Sequence, residues 1–371
     1  MSTCALIIRI QSMLVMIRLE EDSVRFFAKA LALTVVGSAL LLGLTGCSST
    51  EGKSSGPLST LNVALLPNMT HAQGLVGKEN GDFQKALGSQ TKISWRTFNA
   101  GPDEVQAFLT GAEDVGYIGP GPAVTANLQS HGDIQIVAGA TTGGTLLVAR
   151  KGSNIKSWKD LAGKSVSVPQ YGNTQHLLLL DLLKRNGLKD TSKGGTVEVK
   201  AANNSDISTL FDQGSLDAAL VPEPWASTLI QEDGAQVVYD QNTLWRNGQY
   251  ATTVVVARKD FIQEHPKELE AFLKAHVQLT DYLNKDPEDA QKAINSQTYI
   301  LTKKKLSSNV LASSLKNTPV SNDPIVDSVL EFSTFAKEDG YLNETADKKT
   351  LFDFTALNRV LTSLGKATIS S

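Results

Sequence analysis

The sequence predicts an α/β fold built on parallel-rich sheets, and three observations carry that expectation. Short apolar runs such as Leu61–Leu66 and Val115–Ile118, stopped by Pro, Asn or Gly, have the length and composition of buried parallel strands. Segments of helical length separate them, so strand and helix alternate as they do in βαβ units. The alternation comes in two sets of similar size, the second starting at Ser157, with no sequence repeat between them.

In the first set, Leu61–Leu66 reads as a strand closed by Pro67-Asn68, and a helix is expected from about His71 through Leu87. Residues 93–98 alternate polar and apolar side chains, the pattern of a strand. Gly101-Pro102-Asp103-Glu104 opens a helix, with proline in the first turn and acids near the positive end. Val115–Ile118 is a strand running directly into Gly119-Pro120-Gly121-Pro122, and residues 134–140 and Thr145–Ala149 are two more. In the second set, strand Ser165–Val168 leads through a short loop into a leucine-rich helix that ends at Asn186-Gly187. A strand at 197–201, a helix at 206–212, a strand at 218–221 closed by Pro222, and Val237-Val238-Tyr239 complete it. Residues 252–257 form a last apolar strand, and nearly everything beyond Asp260 reads as helix.

Composition narrows the function classes. The chain has 371 residues, enough for two domains once a leader is removed. Its 41% hydrophobic and 20% charged residues are the balance of a soluble globular protein. A formal net charge of −3 provides no basic field for nucleic acid, so no DNA or RNA partner is expected. The two cysteines, Cys4 and Cys47, both precede the globular part, which leaves no internal disulfide and no cysteine metal site. Five scattered histidines show no His-x-x-x-His spacing, and neither a metal nor a cofactor is expected.

The first 57 residues read as an address rather than a fold. Arg25-Phe26-Phe27-Ala28-Lys29 gives a short basic start, and the apolar run from Ala30 to Leu44 has the length of a signal-peptide core, too short for an ordinary span. Leu44-Thr45-Gly46-Cys47 resembles the bacterial lipoprotein processing box, which implies a signal peptide over residues 1–46 and a lipid on Cys47. Residues 47–57 then form a polar tether. The expected place of the protein is outside the cytoplasm, held to the cell membrane by that lipid. Glu20-Glu21-Asp22 is acidic where a leader wants positive charge, so residues 1–23 are expected to be a mis-assigned extension.

Four strand ends share a feature that points to binding. Asn68-Met69-Thr70-His71, Gly119-Pro120-Gly121-Pro122, Gly172-Asn173-Thr174-Gln175-His176 and Pro222-Glu223-Pro224-Trp225 are each loops of small or polar residues that open a helix. Ligands of open parallel sheets bind beyond the carboxyl ends of the strands. Unpaired N–H groups at helix starts favour an anionic group there without any cationic side chain. Taken singly, each loop reads more readily as an ordinary βα turn, which every α/β protein has.

The order of these pieces resembles the solute-binding proteins of the nitrate, taurine and aliphatic sulfonate importers, over about Leu61 to Gly340. The carriers are Asp114-Val115-Gly116-Tyr117-Ile118-Gly119 with Pro120–Pro122, then Leu146-Leu147-Val148-Ala149-Arg150 before Ile155-Lys156-Ser157-Trp158-Lys159-Asp160-Leu161-Ala162-Gly163-Lys164. Gly172–His176 and Gly214–Trp225 follow at matching places. The resemblance implies a two-lobed type II periplasmic-binding-protein fold with a ligand cleft between lobes that close by hinge motion. Lobe one would comprise residues 58–148 and 251–371, and lobe two 149–250. The chain would cross near Val148–Arg150 and again near Gln249–Thr252. Expected partners are a small-molecule ligand and the permease of an ABC importer, with the protein itself a monomer.

On that resemblance, the ligand residues from lobe one would be Asn68, Thr70, Gly119, Pro120, Gly143, Gly144 and Thr145, faced from lobe two by Asn173, Thr174 and Gln175. His176 would either face the cleft or cap the helix that follows. Glu223 would either hold a cationic group of the ligand or partner structural N–H groups, since a carboxylate repels an anion. Trp225 would be a packing ring or the wall for an apolar tail, and Trp245 and Tyr250 carry the same ambiguity. An enzyme on this fold would call for a cysteine or histidine cluster in the cleft, and the sequence offers neither that nor a Gly-x-x-x-x-Gly-Lys phosphate loop. A ligand-presenting lipoprotein for a separate sensor is the alternative of another class. The expected ligand is a small organic anion, first an aliphatic sulfonate, with nitrate or a pyrimidine-type thiamine precursor as the runner-up.

Overall fold

The structure, a computed structural model, describes residues 58–370. The leader, Cys47 and the tether lie outside the described residues. Ten strands form two five-stranded sheets. They are β1 (Thr60–Leu65), β2 (Lys92–Thr97), β3 (Val115–Ile118), β4 (Ile134–Thr142), β5 (Thr145–Ala149), β6 (Ser165–Val168), β7 (Glu198–Ala201), β8 (Ala218–Pro222), β9 (Gln236–Tyr239) and β10 (Ala251–Arg258). Sheet one has the order β2-β1-β3-β10-β4 and sheet two β7-β6-β8-β5-β9.

The two sheets are built alike. In sheet one β1 pairs in parallel with β2 and β3, while β10 lies antiparallel between β3 and β4. In sheet two β6 pairs in parallel with β7 and β8, while β5 lies antiparallel between β8 and β9. Four strands of each sheet therefore point one way and a single strand is reversed. The reversed strand is always the one the chain enters directly from the other sheet.

The helices cover the sheet faces. In the first half they are α1 (Ala72–Asn80), α2 (Asp82–Leu87), α3 (Gly101–Leu109) and α4 (Pro120–Gln129). In the second they are α5 (Thr174–Arg185), α6 (Ile207–Asp212), α7 (Trp225–Glu232) and α8 (Gln241–Leu244). Seven more follow β10: α9 (Lys259–Glu264), α10 (Pro266–Lys285), α11 (Pro287–Thr302), α12 (Ser308–Asn317), α13 (Val326–Glu338), α14 (Lys348–Leu351) and α15 (Thr355–Ser363). The single helix expected from His71 through Leu87 is broken into α1 and α2 at Gly81, whose φ of 71° ends the first in a left-handed cap.

The inner strands of both sheets are buried on both faces, which is why β3, β5, β8 and β10 read as nearly continuous apolar runs, while the edge strands β2, β7 and β9 are partly exposed. On β5 the pleat sends Leu147 and Ala149 to one core and Leu146 and Val148 to the other. Phe332 and Phe335 of α13 belong to that first core of sheet two, so the C-terminal helices also pack on the second half.

The passage from sheet one to sheet two lies at Gly143-Gly144, a few residues before the expected Val148–Arg150. Thr145 already pairs with Pro222, so the whole of β5 belongs to sheet two. Gly143 and Gly144 turn the chain with φ of 62° and 66°, a region that suits glycine. The return passage into β10 runs beside them. Gly144 N–H donates to Gln241 Oε1 at 2.9 Å, and Gly143 N–H to the Tyr250 carbonyl at 3.1 Å.

Candidate ligand-binding cleft

The carboxyl ends of β1, β2 and β3 face those of β6, β7 and β8 across a cleft of about 30 Å³. Leu66, Asn68, Thr70 and His71 follow β1; Asn99, Ala100 and Gly101 follow β2; Gly119 and Pro122 follow β3. From sheet two come Pro169, Asn173, Thr174 and Gln175 after β6, Asn204 after β7, and Pro222 at the end of β8. Thr252 and Thr253 of β10 complete the lining. Three helices start here, α3, α4 and α5, with N-caps Ala100, Gly119 and Asn173. The first turns of α3 and α5 hold N–H groups with no acceptor within their own helices, whereas α4 adds only its dipole, since Pro120 and Pro122 lack an N–H and Gly121 N–H is taken by Thr174. Positive backbone potential thus converges on a lining that holds no lysine, arginine or carboxylate.

The loops of the two halves touch. Trp225 Nε1–H donates to Asn68 Oδ1 at 2.8 Å, Met69 N–H to the Glu223 carbonyl at 3.0 Å, and Gly121 N–H to Thr174 Oγ1 at 3.4 Å. A side chain on Gly119 would collide with the Thr174 hydroxyl, so the glycine there is a condition of close approach.

Of the thirteen expected ligand residues, Asn68, Thr70, Gly119, Asn173, Thr174 and Gln175 lie on the cleft wall. Asn173 also caps α5, its Oδ1 accepting from His176 N–H at 2.8 Å, and Gln175 Nε2 donates to Thr145 Oγ1 at 3.1 Å. Gly143, Gly144 and Thr145 stand behind the wall, the first two as the passage between sheets and Thr145 as a support for Gln175. Pro120 is the first residue of α4 and leaves the wall to Gly119 and Pro122.

Three expected residues are turned elsewhere. His176 accepts from Gly172 N–H through Nδ1 at 3.0 Å and is wedged edge-on between Tyr171 and Tyr341. Burial pushes its imidazole down to about 4. Glu223 is fully buried and its carboxylate takes Ser227 N–H and Oγ–H at 3.0 and 2.8 Å, Asn317 Nδ2 at 2.7 Å and Ser314 Oγ–H at 3.2 Å. Burial raises its pKa and these bonds hold it back. It ties α7 to α12 and does not reach the ligand space. Trp225 packs in the core beneath α7 and offers the cleft only its Asn68 bond.

The sequence reading missed three groups. Ala100-Gly101 follows β2 and resembles any helix start. His71 belongs to one of the four expected binding loops but not to the expected ligand residues; its Nδ1 accepts from Leu66 N–H at 3.2 Å, which places the ring proton on Nε2. Burial pushes His71 down to about 3, so the ring is a neutral donor. Thr253 is 1% exposed, and its hydroxyl has no protein partner among the described residues. Its signal was a hydroxyl pair, Thr252-Thr253, at the head of an otherwise apolar strand.

A family model described as NMT1-like matches residues 54–296, well over half the chain and every strand of both sheets. The chain belongs to the NMT1-like family. This NMT1-like chain is 30% identical over 218 residues to the taurine-binding periplasmic protein of Escherichia coli (strain K12), a match covering 58% of the chain and 65% of that protein. It is 30% identical over 164 residues to a putative aliphatic sulfonates-binding protein of the same strain, covering 43% of the chain and 49% of that protein. The matches thus span less than two thirds of either relative's length. In fold it is similar to the alkanesulfonate-binding protein SsuA of Xanthomonas axonopodis pv. citri, solved bound to MOPS. The TM-score is 0.68 at 17% identity, over 80% of this chain and 99% of that one. The NMT1-like chain has the two-lobed periplasmic-binding-protein fold that the sequence resemblance implied.

Proposed function

We propose that the protein is the extracytoplasmic solute-binding subunit of an ABC importer, anchored by a lipid on Cys47, and that it captures an aliphatic sulfonate. It is a binding protein and not an enzyme. The observation that carries the ligand class is the cleft's chemistry: the N–H groups at the starts of α3 and α5, the dipole of α4 and neutral side-chain donors face one another with no formal charge on the wall. Such a site holds an anion by N–H groups and partial charge. The unpartnered Thr253 hydroxyl and the neutral His71 ring stand ready as further donors. The wall carries no carboxylate to hold an ammonium, since Glu223 is engaged with α12. A plain alkanesulfonate therefore suits it better than an amino-sulfonate. The names of the relatives and of the structural neighbour support the same class.

Isothermal calorimetry against ethanesulfonate, taurine, nitrate and a hydroxymethylpyrimidine tests the reading. Ethanesulfonate is expected to bind at micromolar Kd or tighter and ahead of the other three. Binding of the pyrimidine with no anion bound would end the sulfonate assignment.

A further inference from the structure

We propose that the ligand occupies two connected spaces, its anionic head in the cleft and an apolar tail of several carbons in a second chamber behind Trp225. This rests on the sulfonate reading above and names which sulfonates the site selects. The cleft's roughly 30 Å³ holds a head group and little more, whereas ordinary ligand pockets begin near about 300 Å³. Beside it, between α6, α7 and the end of α11, lies a chamber of about 270 Å³. The two share Asn204, which lines both.

The indole of Trp225 lines the chamber and bonds to Asn68 of the cleft wall. Leu229 and Leu306 extend that apolar surface, and with Trp225 they are 2–8% exposed. Lys304, Lys305 and Glu232 are exposed at the chamber's margin, which bounds its apolar part. A head held at the helix starts can therefore send its tail past Asn204 onto the face of Trp225, where each methylene leaves water. Burial of one methylene is worth about fourfold in affinity. Nitrate and taurine, which have no such tail, gain nothing from the chamber.

The test is calorimetry with ethane-, butane- and hexanesulfonate on the wild type and on Thr228→Phe. Thr228 is a half-buried position of α7 that lines the chamber and not the cleft. In the wild type, affinity is expected to rise at least tenfold from ethane- to hexanesulfonate. In Thr228→Phe that rise is expected to vanish while ethanesulfonate binds as before. Ser208→Phe, on the facing helix α6, repeats the block should the first variant fail to fold. Equal Kd values for the three sulfonates in the wild type would overturn the chamber and leave the sulfonate reading intact. A length dependence that survives in a folded blocking variant would likewise overturn it. Failure of every sulfonate to bind would overturn both.

Discussion

At the residue scale, two buried polar groups of similar exposure are expected to behave oppositely, because one has partners and the other has none. Glu223 holds four hydrogen bonds from Ser227, Ser314 and Asn317. Glu223→Gln replaces an acceptor by a donor amid these donors, and is expected to cost about 2–4 kcal/mol of stability in urea unfolding. It should leave the Kd for ethanesulfonate in the folded protein within twofold. A variant as stable as the wild type would show the carboxylate to be no structural tie. Thr253→Val removes a hydroxyl that no group among the described residues uses, so the unfolding midpoint should stay or rise. Affinity for a sulfonate should fall about tenfold or more, the worth of one hydrogen bond to a charged group. An unchanged Kd would remove Thr253 from the site. The spacing of residues 222–225 showed that Glu223 sits at a strand end but not which way its side chain turns. That direction depends on Ser314 and Asn317, some ninety positions away in the chain.

At the element scale, the inner strands could be read because they are buried on both faces and almost wholly apolar. The same property hid the first passage between sheets. Leu146, Leu147, Val148 and Ala149 are apolar in either sheet, and only their pairing with residues 218–222 decides. Gly81 was legible as a glycine, but its left-handed φ, which splits α1 from α2, was not. The loops opening α4 and α5 announced themselves through small residues and a capping asparagine. The loop opening α3 did not, because Ala100-Gly101-Pro102 has the composition of any helix start and becomes a cleft wall only through the order of the sheet.

At the scale of the whole molecule, the two passages run side by side and bond to one another through Gly143, Gly144, Gln241 and Tyr250. Together with the packing of α12 and α13 on the second half, they form the join about which two sheet-bearing halves would rock if they close on ligand. Such a motion would break loop contacts across the cleft, for example Met69 to Glu223. Small-angle scattering should therefore give a smaller radius of gyration with a saturating sulfonate than without it. An identical radius, with binding shown by calorimetry on the same sample, would sink the closing mechanism. The late return of β10 to sheet one has a further consequence, one of timing. Sheet one without β10 is three strands and a lone β4, since β10 alone joins β3 to β4. A chain delivered N-terminus first presents β1 to β4 early and the strand that unites them only after residues 143–250 have passed. Long-range pairing of this kind is paid for late in folding. Sheet two has all five of its strands within residues 145–239, so sheet one, begun first, is completed last, and a cut in the middle of the chain leaves neither piece with a whole sheet.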